Sequence, residues 1–201
     1  KYLIMDRRKA LKRTGLLAGA TIIAPSLFSL LQSCKDEKRL DWNPEFFSKE
    51  EALTIASIID MVLPRTETPG GLDVKSDIFI DKVVAHTYDE KGQENLRNQI
   101  AEFNKKCQND FGANFYELNE TDKKKVLEEQ EKTSGKFSPG VWGTTVGDQE
   151  PIGFYRSMKS MAIWAYTTSE EVGEKILSYD PIPGGYESCK PLSEVGNKWS
   201  L

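Results

Sequence analysis

One histidine and three widely separated cysteines leave this chain poorly supplied for metal or nucleophilic chemistry. A zinc site would need several nitrogen or thiolate ligands at short spacing, and His86, Cys34, Cys107 and Cys189 stand far apart. No cysteine opens the Cys-x-x-Cys-His run that attaches haem c. A Ser-His-Asp triad would rest on His86 alone, and no nucleophile elbow accompanies it. His86 follows Val83 and Val84 in a helical pattern, which predicts a helix-surface or boundary histidine. Gly70-Gly71 and Gly184-Gly185 are not followed by a helix at the spacing a phosphate cradle needs, so no flavin or nicotinamide site of its own is predicted. A basic stripe is missing too. Residues 1–33 carry six cations against Asp6, net +5, leaving −9 on the rest of a chain whose total is −4. An acidic body repels phosphate backbones, which excludes nucleic acid as a partner. Alternating strand patterns and internal repeats are absent as well.

What is present begins with an address. A cationic head holding Arg7, Arg8, Lys9, Lys12 and Arg13 precedes an apolar run from Leu16 to Leu31, followed by Gln32, Ser33 and Cys34. This is the three-part signal layout, and the run falls short of the roughly 20 residues a bilayer span needs. Arg7, Arg8, Leu11 and Lys12 resemble the twin-arginine export motif, with Asp6 and Ala10 departing from it. Leu31-Gln32-Ser33-Cys34 resembles a lipoprotein box, which implies a diacylglyceryl thioether on Cys34 and a mature chain beginning there. The expected organisation is a signal segment at 1–33, a polar tether at 34–45 and a helical domain at 46–201.

The hydrophobic content of 38% and charged content of 29% suit a packed globular body. Its patterns are helical. Ser48-Lys49-Glu50-Glu51 is a capping box, after which Leu53, Ala56, Ile59 and Leu63 share a face until Pro64. A second helix is predicted from about Lys75 to Tyr88, with Phe79, Val83 and Thr87 on one face and Ile80, Val84 and Tyr88 beside it. Leu96, Ile100, Phe103 and Cys107 form the stripe of a third helix. A shorter helix follows Asn119. Phe154, Met158, Met161 and Ala165 mark another, and Thr168-Ser169-Glu170-Glu171 opens the last. Residues 134–153 read as a long loop containing Trp142, and the Pro- and Gly-rich tail after Tyr179 as extended chain. The predicted fold class is all-α: an irregular helical bundle with a long Gly/Pro-containing loop and an extended C-terminal tail.

Four segments occur here in a familiar order: Pro64 through Gly71; Phe111-Gly112 with Phe115 and Leu118; Tyr166-Thr167-Thr168-Ser169-Glu170; and Tyr179-Asp180-Pro181 through Tyr186-Glu187-Ser188-Cys189. Together they resemble the gluconate 2-dehydrogenase subunit 3 family over roughly Phe46 to Cys189. The resemblance implies a non-catalytic accessory subunit without a cofactor of its own. Its partner would be a large FAD-containing subunit of the glucose-methanol-choline oxidoreductase type, with a haem c cytochrome as a further candidate partner. It also implies oxidation of a sugar or sugar acid, and residence in a Gram-negative envelope as a periplasmic or outer-membrane lipoprotein.

Partner-binding candidates are the tail aromatics Tyr179 and Tyr186, extended by Trp164 and Tyr166, together with Trp142 in the loop. The same tail has an alternative role, wrapping its own helices. A pairing of Cys107 with Cys189 is left open by the even thiol count, although Cys107 sits on a core stripe. Two other functions compete. A stand-alone envelope lipoprotein would bind glycans through Trp142 or Trp164, or scaffold an assembly. An enzyme would have to work with carboxylates such as Glu170 and Glu171, which point apart on a helix.

Overall fold

The computed structural model describes residues 40–137, 140–141, 144–145, 151–180, 182, 184–185 and 189–200. The order along the chain is α1 (Lys49–Val62), α2 (Ser76–Thr87), α3 (Glu90–Phe111), a 3-10 turn (Phe115–Glu117), α4 (Glu120–Thr133), β1 (Gly140–Val141), β2 (Thr144–Thr145), α5 (Phe154–Thr167), α6 (Glu170–Lys175) and α7 (Leu192–Val195). Both strands are two residues long and pair antiparallel, Gly140 with Thr145 and Val141 with Thr144. The described residues are otherwise helical or irregular, so the all-α expectation holds.

Local chemistry sets the helix ends. Ser48 and Glu51 form the capping box of α1: the Glu51 N–H donates to Ser48 Oγ at 3.3 Å and the Ser48 N–H to Glu51 Oε2 at 2.7 Å. Asp89 caps α3 by accepting from the Gly92 N–H at 2.8 Å. That helix stops at Gly112, whose φ of 77° costs a residue without a Cβ very little. Asn119 caps α4 and Ser169 caps α6.

Helix α5 is central, packing on α1, α2, α3 and α4, while α1 also meets α2, α3 and the 3-10 turn. Burial follows this placement. On α1 the residues from Thr54 through Ile59 are all buried, so the helix is enclosed on every side rather than along one stripe. The α3 stripe Leu96, Ile100, Phe103 and Cys107 is buried as its spacing predicts. Phe115 is fully buried against Phe103, ring centroids 5.1 Å apart. Asn104 ties this layer together by donating to Thr54 Oγ1 at 3.0 Å and accepting from the Phe115 N–H at 3.2 Å.

Helix α2 departs from expectation. Its inward residues are Asp77, Ile80, Asp81 and Val84, whereas Phe79, on the predicted core stripe, is 37% exposed. The cause is electrostatic. Asp81, 1% exposed, accepts the backbone N–H groups of Glu45, Phe46 and Phe47 at 2.7, 3.1 and 2.9 Å. One turn earlier Asp77 accepts from the Trp42 indole at 3.0 Å. Two carboxylates four residues apart therefore face the body, and the helix rolls to bring them there. The same contacts alter the expected tether at 34–45, because Leu40 and Trp42 already pack on the core.

Candidate functional site

Between α1 and α2 the chain makes a tight loop from Pro64 to Lys75. The Gly71 N–H returns to Leu63 O at 2.8 Å, and a Cβ on Gly71 would stand 2.5 Å from Ile59 Cγ2. A Cβ on Gly70 would meet the Arg65 backbone nitrogen at 2.8 Å. Both positions need a glycine because the loop lies directly on α1 and on itself. Asp73 fastens the interior by accepting from Gly70 N–H at 2.7 Å and from Arg65 Nε at 2.7 Å, with a second bond from Arg65 Nη2 to its other oxygen. The Arg65 guanidinium, then the Gly70 amide, hold the Asp73 carboxyl below its ordinary range.

The end of α5 braces this loop. The Tyr166 hydroxyl donates to Pro69 O at 2.9 Å across 97 residues of sequence. Arg65, Thr66, Glu67, Thr68, Pro69 and Asp73 line a shallow depression of about 440 Å³ together with Glu171 from the start of α6. The structure thus unites two of the four segments singled out in the sequence, Pro64–Gly71 and Tyr166–Glu170. A third, around Phe111-Gly112 and Phe115, is accounted for by the α3 terminus and the core beneath it.

Where α2 packs on α5, Trp164 stands 48% exposed and meets Phe79 edge to face, centroids 5.0 Å apart at 68°. Ile163, its neighbour, is 42% exposed. Of the expected partner contacts, Trp164 is therefore available on a rigid helix, and Tyr166 is half-buried with its hydroxyl committed to the loop. Tyr179 is exposed in the tail. Trp142 and Tyr186 lie outside the described residues, as do Arg7, Arg8, Leu11, Lys12 and Cys34. Sequence reasoning placed Phe79 on a core face and gave Asp77 and Asp81 no part. The signal available was a pair of aspartates at i and i+4 flanking Ile80 on a short apolar helix.

The remaining candidates separate. Cys107 is buried and Cys189 exposed, both as free thiols, so the pairing left open above is absent here. Cys107 belongs to the α3 core stripe, and burial, then Asp110, pushes its thiol up to about 11. His86 is exposed, as its pattern predicts, with Nε2 2.9 Å from Glu45 Oε2. Glu170 and Glu171 are exposed on the first turn of α6. Among the described residues no three of His, Cys, Asp and Glu gather where they could hold a metal, and no helix is long and apolar enough to cross a membrane.

The loop locked onto the end of α5 and the half-exposed Phe79–Trp164 pair both belong to one helical domain. The chain belongs to the gluconate 2-dehydrogenase subunit 3 family, whose profile matches residues 49–184, from the first residue of α1 to beyond α6. Membership makes it a component of a dehydrogenase complex. No curated protein matches the chain, and no solved structure does.

Proposed function

We propose that this chain is the non-catalytic small subunit of a heteromeric FAD-dependent dehydrogenase of the glucose-methanol-choline type. It supports export, assembly and membrane anchoring of the flavoprotein, which oxidises a sugar or sugar acid and passes electrons to a cytochrome. The family match over 49–184 is the observation that carries this reading. The surface chemistry agrees with it. Trp164 and Phe79 offer large apolar area on helices that need no ordering to bind, and such aromatics supply a disproportionate share of interface energy. The flavin and any haem c belong to the partners. Cys34 carries the lipid that holds the assembly in a Gram-negative envelope, and the twin-arginine-like head carries folded cargo with it.

The test is affinity isolation of the tagged chain from native membranes in mild detergent. The expected eluate contains a second, larger chain and is yellow. Trp164→Ala should weaken the association by about 2 kcal/mol, roughly 30-fold in Kd. A wild-type eluate that is colourless and binds sugar directly would replace this reading with a stand-alone glycan-binding lipoprotein.

A further inference from the structure

The roll that turns Asp77 and Asp81 inward strips the outer face of α2 of negative charge. Left exposed are Lys75, at the N-cap, and Lys82, one turn on either side of Phe79. Neither lysine has an ion-pair partner among the described residues. His86, farther along the helix, is already matched to Glu45. The neighbouring helix α5 contains no carboxylate, and its two cations, Arg156 and Lys159, both pair with Glu131 of α4. Glu170 and Glu171 come only with α6, beyond the end of α5. A cationic, aromatic face, with Phe79 and Trp164 in contact, thus stands on an otherwise acidic body.

Lys75 adds an independent observation. Its φ of 58° lies in the left-handed region, where a Cβ is strained and glycine is the ordinary choice. The backbone alone holds this turn: the Lys75 N–H donates to Leu72 O, and Lys75 O accepts from the Phe79 N–H, both at 3.1 Å. The lysine side chain contributes nothing to that conformation. A strained residue without a local use for its side chain directs attention to what the side chain meets outside.

We propose that this face seats an acidic segment of the flavoprotein subunit, in which an apolar side chain lies between two carboxylates. The inference rests on the accessory-subunit reading and adds the chemistry of the partner. Seven residues separate the lysines, about 10 Å along a helix axis. Carboxylates seven residues apart on a helix, or three apart on a strand, match both lysines at once. The apolar side chain between them meets Phe79 and Trp164, and the lysines at the rim steer the approach of negative charge. Isologous pairing of two copies through this patch would instead set lysine against lysine.

The assembly isolated from native membranes with the tagged full chain tests this. Carbodiimide joins a lysine amine to a nearby carboxylate as an amide, with loss of water, and peptide mass mapping locates the link. Links from Lys75 and Lys82 to Asp or Glu of the larger chain are expected. Lys75→Gly suits the left-handed backbone, so Tm should hold or rise while the flavin retained per tagged chain in a low-salt wash falls. With Lys82→Glu added the loss should reach about tenfold, and wild type in high salt should approach the variant. Links to the larger chain from other lysines only, or retention untouched by the substitutions, overturn this face as the seat and leave the accessory-subunit reading intact. Links at Lys75 or Lys82 between two copies of this chain overturn the choice of occupant. A wild-type eluate without a flavoprotein overturns both readings.

Discussion

Replacing Asp81 by alanine removes the acceptor of three N–H groups at once. Hydrogen bonds to a charged group contribute about 1.5–3 kcal/mol each, but the desolvation of the carboxylate offsets part of that. The Phe47 amide is buried and would be left unpaired, while Glu45 and Phe46 are partly open to water that can replace the lost partner. The expected loss is about 2–4 kcal/mol, a large share of the 5–15 kcal/mol of a typical domain. In a chain of this size that lowers Tm by about 4–16 °C. Hydrogen exchange separates local from global effects. Amides 45–47 should exchange roughly 30-fold faster or more, since each 1.4 kcal/mol is tenfold. Amides of α3, fixed by the buried Leu96, Ile100 and Phe103, should change only with the global stability. Unaltered exchange at 45–47 together with an unaltered Tm would refute the reasoning, because it would mean that Asp81 holds nothing.

Gly71→Ala should cost about 1–3 kcal/mol by overpacking against Ile59, outweighing the smaller gain from a stiffer unfolded chain; urea unfolding should show a lower midpoint at constant m-value. Combining it with Ile59→Ala, which removes the clashing methyl, should cost less than the sum of the two. Native protein at neutral pH should present Cys189 to a thiol reagent at once, while Cys107 reacts only on unfolding, since its thiol is buried and titrates near 11. Burial, the largest influence on Asp77, raises its carboxyl, so ionisation is penalised in the folded state. The penalty is absent in acid, where both states are protonated, and full above the raised folded value. Asp77→Asn removes it, so denaturation curves should show the variant gaining on wild type as pH rises through the carboxylate range.

Much of the body was legible because its signals are local. The Ser48–Glu51 box, the Asn119 and Ser169 caps and the α3 stripe each depend on neighbours three or four residues away. Reading failed where a distant segment decided orientation. Asp77 and Asp81 look like an outward polar pair until the amides of residues 45–47 and the Trp42 indole are supplied from 34–36 residues upstream. Turning them inward exposes Phe79 and creates the aromatic pair with Trp164. On α5 the expected stripe faces the core, Met158 and Ala165 buried and Phe154 and Met161 partly buried against it, but Tyr155 and Ala162 are buried as well, because that helix is packed on several sides. The short 3-10 and α7 turns carry too few residues for a period to show. Convergence of the Pro64–Gly71 and Tyr166–Glu170 segments was also out of reach, since the Tyr166–Pro69 bond spans 97 positions.

Native mass spectrometry of the intact assembly, released from detergent and then dissociated in the gas phase, addresses the division of labour most directly. The account predicts that flavin mass stays with the larger chain and that this chain leaves with only the mass of its sequence and lipid. Flavin retained on this chain, or a solitary chain that turns over a sugar, would contradict it.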